Sequence, residues 1–179
     1  MVVVVAAMAT PVLAEPVTVG ANLGVVRQQS STIENSSIGL FARLGVERRV
    51  SFQLELARLQ RSAAQLPSPM PTPGDADTTQ ATGMVVVDLD DGSLAPTVLA
   101  GLGADHASNI VRDNTYAHGE LGVGLELRMR GGLVLGADAR VGMRRILAST
   151  QRDILVTFEP PTLPEGTYRS ARVNLGFRF

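Results

Sequence analysis

The feature that most constrains the fold is an alternation of apolar residues with polar or small ones, which recurs along most of the chain. Residues 120–129 show it most clearly, because an apolar residue follows every charged residue or glycine up to Met129. Successive side chains of a β-strand point to opposite faces of the sheet. A period of two therefore predicts strands with one apolar face and one polar face.

Eight segments share this period, and their lengths cluster around ten residues, about the number that crosses a bilayer as a tilted strand. They span residues 17–26, 37–46, 50–59, 80–89, 95–104, 120–129, 133–144 and 167–179. Short connections around residues 47–49, 90–93 and 130–132 alternate with longer ones, such as 60–79 and 146–166. This order predicts an all-β fold, an eight-stranded antiparallel up-and-down barrel with both chain ends on the side of the short turns.

The polar face of the predicted strands carries charges of both signs beside many glycines. Its charged residues are Arg43, Glu55, Asp88, Glu126, Arg128, Asp138, Arg140, Arg172 and Arg178. Eight strands enclose a space that side chains can just fill, and glycine leaves room for long ones. We therefore expect an interior ion-pair network that closes the lumen. The opposite arrangement, with apolar residues inside, would make a soluble periplasmic barrel that binds a small apolar ligand.

Composition excludes several classes of site. The chain has no Cys and only two His, which argues against thiolate chemistry and a His-rich metal site. Its net charge of −1 gives no electrostatic reason to bind nucleic acid. No phosphate loop, nucleotide fingerprint or metal-ligand spacing is present, so we predict no cofactor and no metal.

The first fourteen residues form an apolar segment that ends in Val12-Leu13-Ala14, ahead of Glu15. A small-residue pattern of this kind predicts a signal peptide, residues 1–14, that is cleaved after Ala14. Residues 15–179 would then form the mature barrel. The segment lacks the usual basic residues at its start, and the alternative is a buried N-terminal strand.

The last strand ends in an aromatic residue, with an apolar residue at every second position before it. The residues in this pattern are Val173, Leu175, Phe177 and Phe179. The pattern resembles the assembly signal of bacterial outer-membrane barrels, which the barrel-assembly machinery reads. With the leader and the eight strands, the chain resembles the small eight-stranded outer-membrane group that includes OmpA-like transmembrane domains.

The resemblance implies the outer membrane as location, with short periplasmic turns and longer extracellular loops. It also implies outer-membrane lipid and lipopolysaccharide as surroundings, and possible surface partners that contact the long loops. Such barrels carry aromatic girdles at both membrane interfaces. Only 4% of this chain is aromatic. We expect Tyr116 and Tyr168 at the outer rim, and Phe177 and Phe179 at the inner one.

A second resemblance concerns a short polar string after the fifth predicted strand. His106, Ser108 and Asn109, followed by Glu120, are similar to the catalytic segment of outer-membrane lipid A deacylases. By that resemblance Ser108 would be the nucleophile, His106 the base, Glu120 its orienting carboxylate and Asn109 an oxyanion donor. Strict alternation of side chains argues against this catalytic arrangement, because the alternation places His106 and Ser108 on the outer face and Glu120 inside.

Three functions thus follow from the sequence. The favoured one is a non-enzymatic outer-membrane barrel with a structural or surface-interaction role and a plugged or very narrow lumen. The alternatives are a lipid A deacylase and a soluble ligand-binding barrel.

Overall fold

Each alternating segment forms a β-strand in the computed structural model, which describes residues 16–29, 34–61, 77–108, 112–151 and 165–179. The strands are β1 Val17–Gln28, β2 Glu34–Glu47, β3 Val50–Arg61, β4 Asp77–Asp88, β5 Leu94–Ser108, β6 Arg112–Arg128, β7 Leu133–Gln151 and β8 Gly166–Arg178. Every strand pairs antiparallel with the next, and β1 pairs with β8 to close the barrel. The predicted eight-stranded up-and-down barrel is confirmed.

The strand register advances by ten residues in one circuit of the barrel. Starting at Val17 and stepping to the paired residue on each following strand leads, after eight steps, to Arg27 on β1. The residues on this path are Leu44, Phe52, Val85, Ala100, Leu121, Val141 and Arg169. A stagger of this kind means that the strands are tilted against the barrel axis, typically by about 35–45°.

The two ends of the barrel differ. We call the end that carries the connections β2–β3, β4–β5 and β6–β7 the short-turn end, and the opposite one the long-loop end. Both described chain termini lie at the short-turn end, where the Phe179 amide donates to the Val17 carbonyl at 2.9 Å. In the β6–β7 turn, Gly131 and Gly132 have φ angles of 87° and 88°. Glycine adopts this left-handed conformation without steric cost.

The faces of the sheet are inverted relative to a water-soluble barrel. Outward side chains are large and apolar yet strongly exposed, as in Leu40 (68%) and Leu102 (76%). Inward side chains are mostly polar or charged, and Glu55 is only 2% exposed. An apolar inward patch of Met84, Val86 and Leu99 is an exception. Within the described residues no helix is long and apolar enough to span a membrane.

The predicted strand ends were wrong at the long-loop end. His106 and Ser108 lie within β5, and β6 begins at Arg112 instead of near Glu120. Strand β7 extends to Gln151, so that Ile146 is in a strand and not in a loop. The predicted signal peptide, residues 1–14, and Asn109 lie outside the described residues.

The expected outer-rim positions of the two tyrosines were also wrong. Tyr116 and Tyr168 point into the barrel and are 0% and 1% exposed. The Asn114 side chain donates to Tyr116 Oη at 3.1 Å. Phe177 and Phe179 are exposed on the outer surface at the short-turn end, with their rings 5.1 Å apart.

Candidate functional site: the charged interior

The centre of the barrel is organised around Arg140 on β7. Its guanidinium donates two hydrogen bonds of 2.9 Å to the two carboxylate oxygens of Glu55 on β3. It also donates to Glu120 at 2.6 Å and to Asp138 at 2.6 Å. The planar five-donor fork of arginine suits such multiple carboxylate contacts, which the point charge of lysine would not reproduce.

Glu55 joins this centre to the opposite wall. Arg172 on β8 donates to Glu55 and, at 3.0 Å, to the side-chain oxygen of Gln80 on β4. The Gln53 amide donates to Glu55 at 2.7 Å. Since β3, β4, β7 and β8 all contribute, these contacts cross the full width of the lumen.

A second cluster fills the short-turn end. Arg43 donates to Glu126 at 2.5 Å and to the Gln53 side chain at 2.6 Å, which links this cluster to the centre. Arg128 donates to Glu126 at 2.9 Å and to Asp88. The exposed fractions of these side chains are higher than at the centre, because this cluster borders the mouth of the barrel.

A third cluster lies towards the long-loop end. Arg144 donates to Asp105, and its guanidinium stacks 4.8 Å from the centroid of the Tyr168 ring. His118 has Nδ1 3.1 Å from Asp105 and Nε2 2.9 Å from the Thr82 hydroxyl. Tyr168 donates to Glu120 at 3.1 Å, which connects this cluster to Arg140.

Two small cavities lie among these groups. A cavity of about 30 Å³ borders the second cluster, and one of about 20 Å³ lies between Arg43, Asp138 and Asn174. A cavity of about 10–15 Å³ is enough to hold one water molecule. Each of these two cavities is therefore large enough for isolated water molecules.

The structure brings together eight of the nine residues that the sequence predicted for the interior network. Arg178 faces the mouth at the short-turn end, and no ion pair joins it to another described residue. Sequence reasoning missed Asp105, His118, Arg144 and Tyr168, and it assigned Glu120 a role only in the deacylase alternative. Continuing the period of two beyond the predicted strand ends would have found Asp105 and His118.

The described residues of the deacylase alternative, His106, Ser108 and Glu120, do not assemble into a triad. His106 is exposed on the outer wall with Nδ1 3.4 Å from the Thr115 hydroxyl, and Ser108 donates to Asp113 at 2.5 Å. Glu120 is inside the barrel, bound to Arg140 and Tyr168. A hydrolytic triad requires the base to contact both the nucleophile and the orienting carboxylate, and the barrel wall separates His106 from Glu120.

Outside the barrel wall, Arg48 and Arg49 in one short turn pair with Asp91 in the next. Arg49 donates to both carboxylate oxygens of Asp91 at 3.1 and 3.2 Å. These hydrogen bonds hold the pKa of Asp91 below its ordinary value. Because the ionised carboxylate is the form that is bound, this small contribution to stability is lost as the pH falls through the pKa of the folded protein.

Replacing Gly142 by Ala is expected to destabilise the barrel by about 1–3 kcal/mol, the usual cost of overpacking. A Cβ at this position would overlap the Tyr168 ring and push it away from Glu120. Gly136→Ala on the same strand and face is the control, since its Cβ would meet Asn174 at an ordinary 3.4 Å. Urea unfolding in lipid vesicles measures both, and equal effects of the two substitutions would refute the predicted clash.

Comparison with known proteins extends the description of the fold. No protein-family model matches the sequence, and none of the curated proteins matches it. Among solved structures, Neisserial surface protein A aligns with a TM-score of 0.61 and 13% identity, over 92% of this chain and 96% of that one. The N-terminal barrel of Pseudomonas aeruginosa OprF gives 0.53 and 15% identity, over 90% and 97%. The attachment invasion locus protein Ail of Yersinia pestis gives 0.51 and 13% identity, over 92% and 97%. The chain thus has the fold of small outer-membrane barrels.

Proposed function

We propose that this protein is a non-enzymatic barrel of the bacterial outer membrane, which serves envelope structure or surface contact and has a closed lumen. The observation that carries the proposal is the inverted distribution of polarity described above. Lipid tolerates an apolar outer wall, and a closed barrel leaves no strand edge with unpaired backbone groups in hydrocarbon. The similarity in fold to outer-membrane proteins supports the same location.

In this orientation the short turns lie in the periplasm and the longer loops face outward. Surface partners would contact the long loops, most of whose residues lie outside the described ranges. The three connected clusters of the interior support the closed lumen, because large charged side chains pack against one another from the short-turn end to Asp105.

Electrical recording from the refolded protein in planar bilayers tests the closed lumen. The native protein is expected to give no large, stable conductance steps. A triple variant, Glu55→Ala, Arg140→Ala and Arg172→Ala, removes the side chains that cross the centre and serves as the comparison, provided that it still shows heat-modifiable migration on a gel. Large, stable steps from the native protein would contradict the proposal.

We also propose that the end of β8 is read by the barrel-assembly machinery. Phe177 and Phe179 are exposed on the outer wall, and the pairing of β8 with β1 closes the barrel. Deleting Phe179 is expected to lower the folded fraction in outer membranes severalfold, while refolding in detergent is retained. Arg130→Gln, in the exposed β6–β7 turn, is the control. Unchanged assembly in cells would count against this role.

A further inference from the structure

The outer wall carries arginines at one end only. We call the uncharged outward residues of the strands the apolar belt. It begins at the short-turn end and reaches up to Val25, Leu56, Met143 and Ala171. Above them, the first charged outward residue is an arginine on each of four strands. These residues are Arg27 on β1, Arg58 on β3, Arg145 on β7 and Arg169 on β8, all of them exposed.

The register places these arginines in one band around the barrel. With a rise of about 3.3 Å per residue and a tilt of about 40°, each residue climbs about 2.5 Å along the axis. Each step to the next paired strand adds about 3 Å for the same tilt. The four arginines then lie about 21–29 Å above Val17, at the upper edge of an apolar band that is typically about 25 Å tall.

Two of the arginines stand side by side with the same charge. Arg27 and Arg169 are directly paired across the β1–β8 ladder. Like charges in such positions destabilise a sheet. Glu34 lies 3.7 Å from Arg27 and offsets the positive charge of that arginine. Within the described ranges, neither Arg169 nor Arg145 has an ion-pair partner. A bound anion would relieve this repulsion.

An apolar groove begins directly below Arg145. Its open volume is about 960 Å³, and Arg145 and Thr167 lie at its upper end. The floor is formed by small outward residues, among them Gly83, Ala100 and Gly119, and the walls by Leu102 and Met143. The groove is wide and apolar along its length, which suits a hydrocarbon chain with an anionic group at its upper end.

We propose that Arg27, Arg169 and Arg145 form a binding site for the phosphate groups of lipid A, the phosphorylated glycolipid anchor of lipopolysaccharide, with one of its acyl chains in the groove below Arg145. The three arginines lie on consecutive strands β7, β8 and β1, and their planar forks bind phosphate in bidentate geometry. Lipid A carries phosphates on both sugars of its headgroup, which matches a site with one pair of arginines and a third set apart from it.

This inference rests on the proposed outer-membrane orientation, which places the long-loop end in the leaflet that contains lipid A. The contrast between the two ends supports it. At the short-turn end the described charges outside the barrel lie in the turns, with Arg48 and Arg49 beside Asp91, and not on the outward faces of the strands. A zwitterionic phospholipid gives no reason for a band of arginines on the outer wall of one end only.

The test compares two triple variants of the full barrel, refolded in detergent micelles. The first carries Arg27→Gln, Arg145→Gln and Arg169→Gln. The control carries Arg48→Gln, Arg49→Gln and Arg130→Gln at the short-turn end, and so loses the same charge. Native mass spectrometry measures binding of bisphosphoryl lipid A, of its enzymatically dephosphorylated form, and of phosphatidylglycerol. Migration of the unheated protein on a gel checks that each variant is folded.

An arginine near an anionic membrane surface contributes about fivefold in affinity. The first variant loses three such arginines and is therefore expected to bind bisphosphoryl lipid A about 100-fold more weakly than the native protein, while the control binds it as the native protein does. The native protein should also prefer bisphosphoryl lipid A over the other two lipids. Equal binding of lipid A by both variants, or equal affinity of the native protein for the phosphorylated and dephosphorylated forms, would overturn the site. Neither result would affect the proposed location, because the folded barrel is present in every sample.

Discussion

Replacing Arg140 by Gln is expected to lower the free energy of unfolding by about 3–5 kcal/mol, the range found when one partner of a buried ion pair is removed. Arg140 contacts three carboxylates, and its side chain is only 1% exposed. Glutamine offers two donors in place of five, so Glu55, Glu120 and Asp138 would remain charged and incompletely paired inside the barrel. Urea unfolding in lipid vesicles measures the loss.

Two further variants make this prediction specific. Arg130→Gln removes the same charge from an exposed turn and should change stability by less than about 0.5 kcal/mol. Adding Glu55→Gln to Arg140→Gln should cost less than the two single changes together, because it removes one of the unpaired carboxylates. A loss for Arg140→Gln no larger than that for Arg130→Gln would show that the interior network does not stabilise the barrel.

Replacing Val123 by Arg is the second change with a large expected effect. Val123 is outward, 62% exposed and paired with Val98 and Ala139 in the middle of the apolar belt. In a membrane barrel an arginine at mid-depth on the lipid face costs about 2–4 kcal/mol. In a water-soluble barrel the same exposed position would accept an arginine with a change of only about 0.5 kcal/mol.

The matched control lies further along the same face of β6. Thr115 is outward and close to the long-loop end, where it pairs with His106 and Ala148. Thr115→Arg should cost about 0–1 kcal/mol, because charged side chains near the interface reach water. Unfolding of both variants in vesicles of one lipid composition measures the dependence on depth. Equal, small costs at both positions would be inconsistent with a lipid-facing wall.

The sequence predicts the strands and their faces well inside the apolar belt, and for a physical reason. There the outward residues must be apolar and the inward residues polar, so the period of two is plain, as in residues 120–129. Above the belt the outward residues become polar as well. In residues 112–118 both faces carry polar groups, and the alternation that marks a strand fades although the strand continues.

The same effect explains which site residues could be predicted. Arg140, Glu55 and Arg172 lie within the belt, where each charge among apolar neighbours indicates the inner face. Asp105 and His118 lie where the pattern fades, and they were missed. Tyr168 was misplaced because tyrosines of such barrels commonly lie at the interfaces. The space above Gly142 and the carboxylate of Glu120 hold its ring inside, and both come from residues distant in sequence.

The central claim is that the outer wall of the barrel contacts membrane lipid and not water. Flotation of the refolded protein in a density gradient, after mixing with preformed vesicles and washing at alkaline pH, tests it directly. The protein is expected to rise with the vesicles and to migrate as a compact, heat-modifiable band. Recovery of a folded, detergent-free monomer in the aqueous fraction would contradict the claim.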